Sequence, residues 1–426
     1  MDETLLTTLP GTRDLLPEEI SSWHLVEEAA RNIFACYGFQ EIRSPLLEAT
    51  ELFARGIGGD TDIVGKEMYT FRDQSGKLVS LRPEATASAV RAYLQHSMGR
   101  GAGLTKLYYI GPMFRHEKKQ KGRWRQFYQI GAEALGSEHP AIEAEVIEMM
   151  LFFLESLSVR SRLLINSVGD GQCRPGYIEL LRRELCRKHA ELCEDCRRRT
   201  ETNPLRVLDC KVETCQEVID SLPKIADNLC AECSRHFEEV KNHLREAGIE
   251  FEIDPRLVRG LDYYVRTAFE IVSGDLGSQN ALVGGGRYDG LAEMLGGPRV
   301  PGFGFAMGLD RLVMILPEAV QARGRRRPDL YIAYMGDACF RKALAVARKL
   351  RHKGFTCNVD FTSGSLKSQM RQAHRSGARN VLIMGEEELA RGRFLLKRMD
   401  DSTQREIALE ALEEHLVEHA AAGGSR

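Results

Sequence analysis

Arg115 and Glu117 stand at the base of a basic loop, FRHEKKQKGRWRQF (residues 114–127), which packs six Lys/Arg and one His into fourteen positions. Gln129 and Glu133 follow it. Further on, Arg259 opens RGLDYY, GGGRYDG sets three glycines beside Arg287 and Tyr288, and GLDRL carries Arg311. Arginines on strands that face one pocket suit a polyanion, because guanidinium stays charged and holds phosphate or carboxylate through two parallel bonds. GGGRYDG matches neither a Walker loop nor a dinucleotide fingerprint, and a charge run alone is more often a solvated hairpin end. The set, rather than any one motif, points to phosphate chemistry.

The chain has 426 residues, 43% hydrophobic and 28% charged, with formal net charge −2. That length exceeds what one core fills, so two or three domains are expected. Near-neutral charge argues against a protein that coats nucleic acid, yet the patches at 118–125 and 323–327 leave local phosphate contact open. The acidic start, MDETLLTTLPG, lacks the layout of a signal peptide, and no apolar run reaches the length of a membrane span. A cytoplasmic protein follows. Its cysteines number eleven, eight of them between Cys173 and Cys233. An odd count without an export signal implies reduced thiols.

The elements that position these residues read as α+β. Pro17 opens a helix with Ile20, Trp23, Val26, Ala30, Ile33 and Tyr37 on one face, and Gly38 closes it. FQEIRSPLLE reads as a strand, RPEATASAVRAYLQ as a helix entered at Pro83, and KLYYIGPMF with FYQIGAEAL as the two strands of the basic hairpin. After the helix AIEAEVIEMMLFFLESL the chain turns charged, helical and Cys-rich, an insertion over 170–252. Strands return in LVRGLDYYVRTAFEIV, ALVGGGRYDGL and VPGFGFAMGLDRL. The expected division is a catalytic domain over 1–169 and 253–322, the insertion, and an α/β domain over 328–421 that begins where strand–helix alternation restarts.

GFQEIRSPLLE, YIGPMFRHE…RQFYQIGAE and GFGFAMGLDRL resemble motifs one, two and three of class II aminoacyl-tRNA synthetases. LVRGLDYYVRTAFE and ALVGGGRYDGL resemble the two signature peptides of the histidyl-tRNA synthetases, bacterial type, and the resemblance runs from PGTRDLLP to the C-terminal domain. It implies a six-stranded antiparallel catalytic sheet flanked by helices, an obligate homodimer with its interface near Pro45, and a C-terminal anticodon-binding domain. The implied substrates are L-histidine, ATP with Mg²⁺, and histidine tRNA.

By that resemblance Arg115 and Arg259 are catalytic, gripping the α-phosphate and the histidine carboxylate. Phe127 and Arg311 sandwich the adenine, Glu117 reads its amino edge and Arg123 reaches the γ-phosphate. Glu84, Ala85 and Thr86 with Gln129 take the ammonium, Glu133 and Tyr264 the imidazole nitrogens, and Tyr263 and Tyr288 close the pocket. Lys118, Gln120, Lys121 and Arg125 form a loop tip that meets the tRNA acceptor end. Two other readings compete: a histidine-binding regulatory paralogue that activates an ATP phosphoribosyltransferase, which lacks the anticodon domain, and another class II synthetase, which lacks RGLDYY.

In the insertion, Cys193-x₂-Cys196 and Cys230-x₂-Cys233 have the form of one closed tetrahedral zinc site, with Cys210 and Cys215 between them as substitutes for either pair. The spacing of the pairs is longer than usual for such sites, and buried thiols on amphipathic helices are the competing account. A metal there would be structural, and histidine activation in a distant sheet would survive its loss.

Overall fold

The computed structural model describes residues 5–58, 61, 63–101, 103–117, 122–259, 261, 263–277, 280–325, 327–362 and 364–422, with the side chains of 419–422 left aside. The chain divides into two compact units, 1–324 and 325–426.

The larger unit is built on a sheet whose six central strands are Thr105–Phe114, Gln126–Leu135, Gly302–Gly308, Ala281–Arg287, Val265–Val272 and Arg162–Ser167, each antiparallel to its neighbours. Two-residue strands, Gln40–Glu41 and Glu252–Ile253, extend the edges in parallel. FQEIRSPLLE is therefore not one strand. It breaks before Pro45 and resumes as Leu47–Ala49 in a separate three-stranded sheet with Thr70–Arg72 and Leu78–Leu81.

Alternation gives the central sheet two unlike faces. One carries Ile130, Ala132, Phe269, Ile271, Val283, Phe303, Phe305 and Met307, all buried in the largest core. Against it lie the helices Pro17–Cys36 and Ala141–Ser156, which bring Trp23, Val26, Phe34, Val146, Met150 and Phe153. Pro17 starts the first of these, and Gly38, at φ +77°, supplies the left-handed turn that ends it. The other face is small: Gly284 and Gly286, Gly304, Ala306 and Gly308, and Gly131 in register on neighbouring strands. Such a face leaves room for a ligand.

Arg287 departs from the sequence reading, which grouped it with the phosphate-binding arginines. It pairs in register with Phe303, on the core face. There it is wholly buried, donates from Nη1 to Asp289 at 3.0 Å and to the Ser137 carbonyl at 3.1 Å, and meets Glu143 through Nε. His236, from the helix Ala231–Glu246, reaches the same Glu143 oxygen at 2.6 Å. Burial would raise the Glu143 carboxyl, yet the guanidinium and His236 hold it down at about 2. Arg287 thus fastens the insertion's last helix to the sheet.

The insertion contains the helices Arg174–Arg187, Glu194–Thr202, Glu213–Asp220 and Ala231–Glu246 among short turns, with its own core of Tyr177, Leu181, Leu185, Val207, Val218 and Ile219. The smaller unit is a five-stranded sheet. Leu330–Tyr334 lies between the parallel strands Cys357–Val359 and Asn380–Met384, and the antiparallel pair Arg393–Arg398 and Gln404–Ala408 completes it.

Replacing Arg287 with Met should leave Glu143 buried beside His236 and Asp289 without its strongest partner. Urea unfolding of Arg287→Met is expected to show a loss of about 3–5 kcal/mol relative to the parent.

Candidate active site

The return strand of the hairpin places Phe127, Gln129 and Glu133 on the small-residue face at even spacing. A cavity of about 260 Å³ opens over that face. Arg115, Arg123, Arg259 and Arg311 all line it, with Glu117, Phe127, Gln129 and Glu270. Sequence reasoning named all of these as site residues except Glu270.

Arg115 is fixed by its backbone hairpin and by its Nε, which donates to the Pro83 carbonyl at 2.8 Å; its guanidinium carbon lies 5.3 Å from the Phe127 ring centre. Arg123 donates to Glu117 at 2.9 Å, and Arg115 stands 3.7 Å from the same carboxylate. Arg259 lies flat over Gly284, where any side chain on Gly284 would overlap the guanidinium. Because Gly284 is in register with Glu270 on the adjoining strand, Arg259 meets the Glu270 carboxylate. That pairing raises the Arg259 pKa against the opposing effect of burial, while burial, and then the charge of Arg123, lower that of Arg311. The cavity is a cluster of like charges held by few acids, and Arg259 Nε is buried with no hydrogen-bond partner among the described residues. It is built to receive an anion.

Beside it, with the Tyr264 ring 6.0 Å from the Arg259 guanidinium, lies a buried cluster of tyrosines. Tyr263 packs against Tyr264 at 4.7 Å and against Tyr288 at 5.7 Å between ring centres. Among them Glu133 is fully buried and accepts from Tyr109 at 3.2 Å and from Tyr288. It has space because its partner across the sheet is Gly304, where a Cβ would collide with the carboxylate. Burial pushes Glu133 up to about 8, against the hydrogen bonds it accepts. Glu84 is also buried, and its oxygens accept from the backbone N–H of Thr86 at 2.7 Å and of Ala87 at 3.0 Å, at the start of the helix Thr86–Gln95. Ala85 and Thr86 are buried with it, and Gln129 Oε1 has no hydrogen-bond partner among the described residues. Several polar groups thus await a small polar ligand.

Three residues here escaped the sequence reading. Tyr109 supports Glu133, and its position opposite Gly131 was the available signal. Glu270 holds Arg259. Asp310 accepts from the Tyr128 N–H at 2.8 Å and from Arg13 at 3.3 Å, joining the PGTRD segment to the hairpin.

Three positional expectations need correction. Arg125 is at the base of the hairpin, not its tip: the Arg115 N–H donates to the Arg125 carbonyl at 2.9 Å, and Arg125 N–H to the Gly11 carbonyl at 2.7 Å. Lys118, Gln120 and Lys121 lie outside the described residues. The cysteines also group differently. Cys193 and Cys196 converge with Cys210 and Cys215, whereas Cys230 and Cys233 converge with Cys173 and Asp170, so the two C-x₂-C pairs belong to separate clusters. Nor is the insertion distant from the site. Its Asn203, Pro204 and Arg206 line a cavity of about 320 Å³ together with Arg259 and Tyr264.

An antiparallel six-stranded sheet with an arginine-lined site on its open face defines a class II aminoacyl-tRNA synthetase fold. The profile of "Histidyl-tRNA synthetase" matches residues 11–312, and that of "Anticodon binding domain" matches residues 329–419. A histidine--tRNA ligase of Solibacter usitatus is 53% identical over 405 residues, covering 95% of this chain and 97% of its own. One from Syntrophotalea carbinolica is 48% identical, covering 97% and 98%. The crystal structure of apo histidyl-tRNA synthetase from S. aureus is similar at TM-score 0.81 and 37% identity, covering 97% of this chain and 100% of that one. The chain belongs to the histidyl-tRNA synthetase family.

Glu133 binds a proton more tightly when folded, so its contribution to stability is complete below the carboxyl's unfolded pKa and is lost as pH rises toward 8. Denaturant titrations of parent and Glu133→Gln between pH 5 and 9 should diverge accordingly. The parent is expected to lose stability relative to the variant with a slope approaching about 1.4 kcal/mol per pH unit.

Proposed function

We propose that this site joins L-histidine to ATP as a histidyl-adenylate and then passes the histidyl group to histidine tRNA. The observation that carries the reading is the convergence of four arginines on one cavity beside a buried tyrosine cluster that surrounds the Glu133 carboxyl. One histidine carboxylate oxygen attacks the α-phosphorus, the bond to the bridging oxygen breaks, and pyrophosphate leaves. A carboxylate is already a competent nucleophile at neutral pH, so the protein's task is positioning and charge neutralisation. The adenylate's carbonyl is then attacked by the terminal ribose of the tRNA, releasing AMP.

Arg115 holds the α-phosphate from the hairpin side, and Arg259 holds it and the histidine carboxylate from the other. Phe127 and Arg311 stack on the adenine, Glu117 accepts from its amino group, and Arg123 reaches the γ-phosphate. Glu270, a carboxylate on the cavity wall, would hold Mg²⁺ arriving with the nucleotide, and the ion would supply further neutralisation of the polyphosphate. Glu84, Thr86 and Gln129 receive the ammonium beside Ala85. Glu133 and Tyr264 pair with the imidazole nitrogens, and Tyr263 and Tyr288 exclude water. A pocket that bonds both ring nitrogens rejects other side chains, because they leave its buried polar groups unpaired.

The hairpin loop, with Lys118 and Gln120, and Arg125 at the hairpin's base meet the acceptor end of the tRNA, and the unit over 328–421 reads the anticodon. The catalytic domain comprises 1–169 and 253–322, with 170–252 inserted. The protein acts as a cytoplasmic homodimer joined near Pro45. Leu46, Leu47, Phe71 and Leu78, all around half exposed on or beside the three-stranded sheet, support an interface there. Among the described residues no helix is long and apolar enough to cross a membrane.

Exchange of labelled pyrophosphate into ATP tests the reading. It should require histidine, with proline, threonine and glycine inactive, and Glu133→Gln should lower kcat/KM for histidine by about a hundredfold or more. Exchange supported equally by another amino acid would overturn it.

A further inference from the structure

The insertion holds a cluster that adenylate chemistry does not use. Cys193, Cys196, Cys210 and Cys215 place their four sulfurs within 4.8 Å of one another, and Cys193 Sγ lies 3.9 Å from Cys210 Sγ. Sulfurs at the corners of a tetrahedral zinc thiolate, each about 2.3 Å from the metal, stand about 3.8 Å apart. A disulfide needs about 2.05 Å, and all of these cysteines are free. The arrangement already approximates the shell of a metal.

Local structure explains the convergence. Cys193 caps the helix Glu194–Thr202 and Cys196 sits in its first turn, so the two sulfurs face one point from a single helix start. After the turn Pro204–Val207 the chain returns with Cys210, and Cys215 enters in the first turn of Glu213–Asp220. Backbone donors are aimed at the sulfurs: Cys193 N–H at Cys215 Sγ, 3.2 Å, and Val212 N–H at Cys210 Sγ, 3.4 Å. Such N–H donors stabilise thiolate, the form that ligates.

Thiols serving only as small hydrophobes would be scattered through the surrounding core of Leu192, Val207, Val218 and Ile219. Here they face each other, and only Cys193 is partly exposed. The helices and turns of this region are short, the circumstance in which a metal contributes most to folding.

We propose that Cys193, Cys196, Cys210 and Cys215 bind one zinc ion as a closed, structural tetrathiolate site. Cys173, Cys230 and Cys233 stand outside it. Their fourth neighbour, Asp170, accepts from the Gln172 N–H at 3.0 Å and lies 3.7 Å from Arg266, and three thiols without a free fourth donor make a poorer site. The proposed ion also has a consequence for the reaction centre. The segment between Cys196 and Cys210 carries Asn203, Pro204 and Arg206, which line the cavity that Arg259 and Tyr264 share. A metal that pins both ends of this segment fixes one wall beside Arg259.

Full-length protein purified without chelator should contain zinc, and Cys210→Ser should contain one zinc per chain fewer, whereas Cys230→Ser should keep that ion. On the parent, a thiol-modifying mercurial should release the zinc to a colorimetric chelator, and cobalt exchanged into it should show the intense absorption of tetrahedral thiolate coordination. Release should also open Arg197, Arg206 and Lys211 to trypsin. Less than about a tenth of a zinc per chain in the parent would overturn the proposal, given how tightly such sites bind. So would a zinc content unchanged in Cys210→Ser, or a cobalt spectrum without thiolate bands, which needs no variant to fold.

Discussion

Mutual repulsion among the guanidinium groups of Arg115, Arg123, Arg259 and Arg311 is the constraint around which the larger unit is organised. Four permanent positive charges on one cavity are unfavourable unless something anionic stands among them. Glu117 and Glu270 perform that task, one for the hairpin arginines and one for Arg259. In the proposed reaction a nucleoside triphosphate and a carboxylate would complete the balance, and the arginines would act most strongly where charge accumulates on the oxygens around the α-phosphorus.

Holding the arginines in place requires a sheet with unlike faces. Phe303, Phe305 and Phe269 commit one side to the core, where two helices cover it. The same strands present Gly284, Gly304 and Ala306 to the other side, and there Arg259 and Glu133 can lie down against the backbone. Gly284 and Gly304 are therefore spatial requirements of the arginine and the glutamate rather than flexible joints. The buried Glu143–Arg287–His236 contact then locks the insertion to the rear of this sheet, while the insertion's Arg206 segment reaches the front.

Much of this was legible in the sequence. Period-two spacing of Phe127, Gln129 and Glu133 within an aromatic and β-branched run gives their common face, and Pro17 and Gly38 mark the ends of the first helix. Arg287 was misread because Gly284 and Gly286 lie on the small-residue face and Tyr288 in the tyrosine cluster; counting four from the apolar Val283 would have placed it on the core face. The cysteine grouping was not recoverable from C-x₂-C spacing, since it depends on how the helices of the insertion fold back on one another. The Arg259–Glu270 contact depends on strand register, and Pro45 breaks a run that composition alone renders continuous. Local pattern encoded the faces, and tertiary pairing decided which residues meet.

The central claim is that Arg259 acts on the reacting phosphate and carboxylate rather than on general nucleotide affinity. Single-turnover formation of histidyl-adenylate, measured by rapid quench alongside equilibrium ATP binding, separates the two for Arg259→Ala. The account predicts that adenylate formation slows by about a hundredfold or more while ATP affinity falls by no more than about tenfold. A loss of affinity that accounts for the whole loss of rate would contradict it.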